Sequence, residues 1–314
     1  MEQKAVGRRP VMWVGAAVLA VLTAGGGAWA LGAFDGSCGA TLRITVAAQP
    51  EIAPALREAA ANFTVEKHRV RGRCVQAAVT PVAPADYVRD AARREIGDAW
   101  VPESALWLGV ARDRGVRSVP DRAPSIAASP VVLAAPRAAD PGEQSWQALR
   151  DTGHSRRADG MSGTVALIAL GQIDSADDDL VKDLRKGPAL AGLTAVERSA
   201  DPIVVTTEQA VVAYNDTHRP NPAAALVPRE GTLLLDHPFA VTTADPGRRD
   251  AAQAFLTALG TRSARDILQR AGFRTVQGTF APEYAQRFGL TERPPRALRP
   301  PELKEIRQAL KAWG

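Results

Sequence analysis

Beyond residue 40, apolar positions recur in two rhythms that take turns along the chain. Residues 42–47 (LRITVA) form a short β-branched run and predict a strand. Gln49-Pro50-Glu51 breaks it, and apolar positions 52, 55, 56, 59, 60 and 63 then predict a helix over 52–65. The same reading gives a strand over 74–82, and a helix over 84–94 with Tyr87, Val88 and Ala91 on one face. It also gives a strand over 99–101, stopped by Pro102, and a short helix over 104–113. Further on come a strand over 129–135, a helix over 163–170, and a strand over 203–206 feeding a helix over 208–214. Strands over 232–235 and 239–242 precede helices over 250–259 and 264–271, which Gly260 and Gly272 end. Strands alternating with helices predict an α/β architecture with mostly parallel sheet. In such sheets ligands bind outside the carboxyl ends of the strands, so the loops there carry the candidates for function.

Ahead of this pattern lies a different one. Residues 1–10 are polar and basic, and residues 11–34 (VMWVGAAVLAVLTAGGGAWALGAF) carry no charge. That run is long enough to span a bilayer, which needs about 20 apolar residues. Trp13 and Trp29 lie near its ends, where indoles favour the interface. The alternative is a cleaved signal peptide, for which Ala28-Trp29-Ala30 is an acceptable site. On either reading Arg8 and Arg9 stay inside and the rest of the chain goes out.

Charge and cysteine usage narrow the picture further. The formal net charge is +5, from 39 Lys plus Arg against 34 Asp plus Glu, and the basic residues are dispersed. A nucleic-acid partner would call for a concentrated basic face, so that class is excluded. The two cysteines, Cys38 and Cys74, read as a disulfide in an exported protein. His68, His154, His218 and His237 are scattered, with no metal-ligand spacing, so no metal or cofactor is expected. Gly160-Met161-Ser162-Gly163 lacks the G-x-S-x-G spacing of a nucleophile elbow. Asp236 and His237 are adjacent, and in an extended segment they point to opposite faces. The chain therefore reads as non-enzymatic. Residues 291–301 (TERPPRALRPP) predict a stiff linker, and 302–313 a last amphipathic helix.

Five blocks carry a resemblance: 47–51 (AAQPE), 98–107 (DAWVPESALW), 125–133 (SIAASPVVL), 206–209 (TTEQ) and 235–241 (LDHPFAV). Together they resemble bacterial extracellular solute-binding proteins of the type 2 periplasmic-binding fold, the group that includes molybdate-binding proteins. The likeness extends over about residues 39–285 and is greatest to actinobacterial members with an N-terminal anchor. Many of those continue into a von Willebrand factor A domain, whose D-x-S-x-S motif this chain does not contain. The resemblance implies a two-lobed α/β fold after an anchor or signal segment over 1–35. Lobe one would comprise 39–124 plus 231–287 and lobe two 125–230, with 288–314 as linker and terminal helix. Crossings between the lobes would lie near 125–129 and 226–230, and a small solute would sit in the cleft. Molybdate-type relatives place a small hydroxyl residue where this chain has Gln49, which departs from oxyanion specificity.

The candidate ligand residues follow from these loops. Gln49 can donate its amide to a ligand or cap the next helix, and Asp98 can receive an amine or hold its loop. Trp100 can stack on a ligand or fill the core; Ser104 can contact a ligand or cap. Ser129 flanks the first crossing, Ser162 opens a helix, and Thr207 and Glu208 repeat the strand-to-helix theme. Glu51 can meet a cation or complement a helix dipole. The expected protein is a membrane-anchored, extracellular binding protein that captures a small solute, with an ABC permease or an envelope protein as partner. The alternative is an envelope interaction or sensing module that keeps the fold without transport.

Overall fold

The computed structural model describes Cys38, residues 40–137, 144–146, 155–157, 203–302 and Lys304. The apolar run over 11–34, Ser162 and the helix expected over 163–170 lie outside the described residues. Among the described residues no helix is long and apolar enough to cross a membrane. Both Cys38 and Cys74 are disulfide-bonded, as expected.

The chain from Thr41 onward belongs to one unit built on two sheets. The first sheet uses β1 (Thr41–Ala48), β2 (Arg69–Val70), β3 (Arg73–Pro81), β4 (Ala99–Val101) and β10 (Ala240–Val241), in the order β10-β4-β1-β3-β2. β1 lies parallel to β3 and β4 at its centre, and β2 and β10 close the edges antiparallel. Successive residues of a strand face opposite sides. Ile44 and Val46 accordingly enter one core, against Leu56 and Phe63 of α1 (Ala53–Val65). Phe255 of α5 (Pro246–Leu259) and Ile267 and Leu268 of α6 (Arg262–Arg270) complete it. Ala47 enters a second core on the other face, with Trp100, Tyr87 of α2 (Pro84–Ala91), and Trp107 and Leu108 of α3 (Leu106–Asp113).

The second sheet has the order β6-β7-β5-β8, from β5 (Ser129–Pro136), β6 (Ser155–Arg157), β7 (Ile203–Thr207) and β8 (Ala223–Leu226). α4 (Glu208–Thr217) covers it with Val211 and Tyr214 against Val132, Ala134 and Val204. The expectation of mostly parallel strands is corrected here. β5 is antiparallel to both β7 and β8, and among the described strands of this sheet only β6 and β7 run parallel. The reason is the path: β5 enters this sheet from the first, and β7 and β8 run back against it.

Two strands carry the chain between the sheets. Ser125 bridges Pro238, and Ile126 N donates to His237 O at 3.1 Å. Ser129 and Pro130 then pair with Leu235 and Leu234 of β9 (Leu234–Leu235), and Val131 N donates to Leu233 O at 3.0 Å. The result is an antiparallel ribbon of 125–131 against 233–238. A third passage follows α6. Ala128 bridges Arg274, and Phe280, with Ala285 and Phe288 of the short helix α7 (Pro282–Phe288), packs on Val212 of α4. Gly272 makes that approach possible: its φ is +90°, and a Cβ there would lie 2.7 Å from a Val212 methyl. Residues 291–298, read from sequence as a linker, are pinned. Thr232 N donates to Arg296 O at 2.9 Å, and Leu298 N donates to Thr232 O at 2.7 Å.

Candidate functional site

The parallel register sets Ala48 beside Val101, so the chain leaves β1 and β4 on the same edge of the first sheet. Gln49 N donates to Val101 O at 2.8 Å and extends that pairing by one step. The Gln49 side chain is fully buried, and its Oε1 accepts from Ile52 N at 3.0 Å. Its carbonyl accepts from Ile52 N and Ala53 N at 3.2 and 3.1 Å. Gln49 thus satisfies the start of α1, where Pro54 has no N–H to offer. Glu51 follows, bonded to the Gln49 side chain. Thr207 Oγ1, from the second sheet, lies 3.5 Å from Glu51 Oε2 and donates toward it. Burial pushes the Glu51 carboxyl up, and the Gln49 and Thr207 hydrogen bonds offset part of that.

Glu103 leaves β4 on the same edge and is 1 % exposed. Trp107 Nε1 donates to its Oε1 at 2.5 Å, while its Oε2 is buried with no hydrogen-bond partner among the described residues. Burial is the main reason its carboxyl is pushed up to about 7; the nearby Glu51 charge acts in the same direction. His237 N donates to Glu103 O at 3.1 Å. The His237 ring is buried edge-on to Phe273, 5.1 Å between centroids, and neither nitrogen has a partner among the described residues. Burial lowers its pKa to about 3, so the ring is neutral at pH 7.

On the second sheet, Val131 sits opposite Thr207, which brings Ser129 beside the first turn of α4. Ser129 Oγ accepts from Gln209 N at 3.2 Å, and Thr207 Oγ1, the N-cap, accepts from Ala210 N at 3.0 Å. Gln209 Nε2 reaches Ala271 O at 3.2 Å, while its Oε1 is buried with no partner among the described residues. Glu208 is gripped by Arg274, Nε to Oε1 at 2.6 Å and Nη2 to Oε2 at 2.9 Å. Burial pushes the Glu208 carboxyl up, and the Arg274 hydrogen bonds and charge pull it back. Arg274 Nη1 also donates to the carbonyls of Gly278, Thr291 and Arg293.

The structure therefore gathers Gln49, Ser129, Thr207 and Glu208 where the strand ends of the two sheets face each other, with Glu51 and Thr207 in contact. It places the other described candidates differently. Asp98 precedes β4, at the end of that strand away from Glu103. Its Oδ2 accepts from Thr45 N at 2.8 Å and its Oδ1 lies 3.3 Å from Arg248 Nη1. Trp100 is fully buried and stacks on Tyr87 at 4.0 Å between centroids. Ser104 Oγ accepts from Leu106 N at 3.3 Å, at the entry to α3. Two residues of the gathered cluster were not singled out as ligand residues, Glu103 and Arg274. Glu103 stands in the block 98–107, next to residues that were; Arg274 has no local signal, since its partner lies 66 positions upstream.

Comparison with known proteins agrees with this architecture. No curated protein matches the chain. The sulfate-binding protein SubI from Mycobacterium tuberculosis is similar in structure, with TM-score 0.58 and 18% identity, over 81% of this chain and 93% of that one. A periplasmic thiamin binding protein aligns with TM-score 0.64 and 13% identity, over 87% and 94%. The apo ferric ion-binding protein A of Pasteurella haemolytica aligns with TM-score 0.63 and 11% identity, over 86% and 96%. At these identities the likeness establishes the fold and no ligand. Residues 44–274 match the model of a family described as bacterial extracellular solute-binding protein, and this chain is a member of that family.

Proposed function

We propose that this protein is a membrane-anchored extracellular receptor for a small solute, held in a cleft between two lobes, 39–124 with 231–287 and 125–230. The apolar run over 11–34 would be the anchor, with the N-terminus inside, and an ABC permease would take the captured solute. The observation that carries this reading is the meeting of loops from both sheets at Glu51 and Thr207, beside a two-stranded ribbon. Such a ribbon is the usual element about which a cleft opens and shuts, and a cleft between two sheets is where small ligands collect. No reaction is assigned: the gathered groups supply hydrogen bonds and charge, with no nucleophile–base pair among those described.

Thermal melting of the purified protein against a panel of oxyanions, sugars, amino acids and amines tests this. One member at a hundredfold excess over Kd is expected to stabilise the fold by roughly 2.7 kcal/mol. A panel without any stabilising member would overturn it.

A further inference from the structure

The hydrogen-bond inventory of the cleft is lopsided, and the imbalance says what it takes. A strand-to-helix site that holds an anion does so with free N–H groups at the helix start. Here the amides of Ile52 and Ala53 are taken by Gln49, and those of Gln209 and Ala210 by Ser129 and Thr207. The buried cation, Arg274, is taken by both oxygens of Glu208 and by three carbonyls. What is left over is chiefly acceptor capacity, beside the one N–H of the neutral His237 ring. Glu103 Oε2 and Gln209 Oε1 are both buried without a partner among the described residues, on residues 1 % and 5 % exposed. Glu51 adds a second carboxyl at the same sheet edge, at the contact between the two sheets.

Resting on the solute-binding reading above, we propose that the solute carries a protonated amine, received by the carboxyl groups of Glu51 and Glu103. An ammonium has three donors and no acceptor, which is the complement of this inventory. Its hydrogen bonds to carboxylates are charge-assisted, and its charge offsets the repulsion that Glu51 exerts on Glu103. An oxyanion would bring further acceptors and a like charge to the same groups. Gln209 Oε1 supplies a neutral acceptor from the facing sheet for a second N–H or a hydroxyl of the solute. Gln49 spends its side-chain carbonyl on the helix start and so leaves no amide of Ile52 for an anion.

The test is calorimetric titration and thermal melting of the full chain in detergent micelles at fixed ionic strength. The probes are ethanolamine, putrescine and spermidine, set against sulfate, molybdate and glucose. At least one amine is expected to bind at a single site and raise the melting temperature. Glu103→Gln and Glu51→Gln are each expected to weaken that binding tenfold or more, with the near-ultraviolet circular dichroism of the unliganded protein unchanged. Should a variant lose its fold, the wild-type panel alone decides. Binding of sulfate, molybdate or glucose in preference to the amines would overturn the proposal while leaving the protein a solute receptor. Amine binding that both variants retain would overturn the assignment to these carboxyls. If no probe binds, both the amine and the receptor reading fall.

Discussion

Arg274 holds both carboxylate oxygens of Glu208, at 2.6 and 2.9 Å, with both side chains almost entirely out of water. Arg274 leaves the end of α6, on the first sheet, and Glu208 opens α4, on the second. A desolvated pair of this kind adds little net stability over an apolar pair, but losing one member strands the other. The two losses are unequal here, because Arg274 also satisfies the carbonyls of Gly278, Thr291 and Arg293. Arg274→Met is expected to cost about 3–5 kcal/mol. Glu208→Gln keeps an acceptor and is expected to cost about 1–3 kcal/mol. Urea unfolding of the two variants checks the order.

Glu103 should make stability fall as the solution becomes less acidic. Its carboxyl titrates near 7 when folded, against 4.5 as the reference value. Its neutral form therefore favours the fold fully below 4.5, and that contribution is lost as pH rises through 7, on the order of 3 kcal/mol in all. Glu103→Gln cannot ionise and is expected to flatten this part of the profile. Urea midpoints across that range, for wild type and variant without added solute, give the comparison.

His237 acts with the opposite sign. Folded, it titrates near 3, against 6.5 as the reference. Its neutral ring favours the fold fully above 6.5, and the contribution is lost as pH falls through 3, on the order of 5 kcal/mol. His237→Asn keeps a polar group and tolerates the φ of +35° found there. The variant is expected to unfold in acid at a lower pH than wild type, followed by far-ultraviolet circular dichroism.

Asp98 separates support from recognition. Its carboxylate accepts from Thr45 N and faces Arg248, so Asp98→Ala leaves a half-buried amide unpaired. A loss of about 1–3 kcal/mol in stability is expected, with solute affinity unchanged. Unfolding and titration on the same preparation measure both.

The disulfide closes a loop of about 36 residues, which is worth roughly 3–4 kcal/mol through the unfolded chain. Replacing Cys38 and Cys74 together by Ser is expected to lower the melting temperature of the protein, and a reductant should lower that of the wild type to the same value.

The chain order of strands and helices was legible because most elements carry their own signal. The run LRITVA and the spacing of Leu56, Ala59, Ala60 and Phe63 name β1 and α1 without help from the rest. The missed elements have no such signal. β8 reads AAAL and is a strand only because β5 offers it a partner, and α7 is too short for its period to register. The same holds at the site. Gln49, Ser129, Thr207 and Glu208 were legible as loop residues at strand ends. The environment of Glu103 was not: besides Trp107, four residues on, it is set by Glu51 and His237, which come from distant parts of the chain. Asp98 stands at the far end of β4, on Thr45 N and Arg248, and its local sequence does not show which partner a side chain at a strand boundary meets.

The segment after α6 gives the molecule a third thread beside the ribbon. It starts on the first sheet, seats Phe280 and Phe288 against Val212, and returns to Thr232 through Arg296 and Leu298. Three stretches of chain therefore tie the two sheets together, and a single backbone cut in any one of them would leave the other two holding.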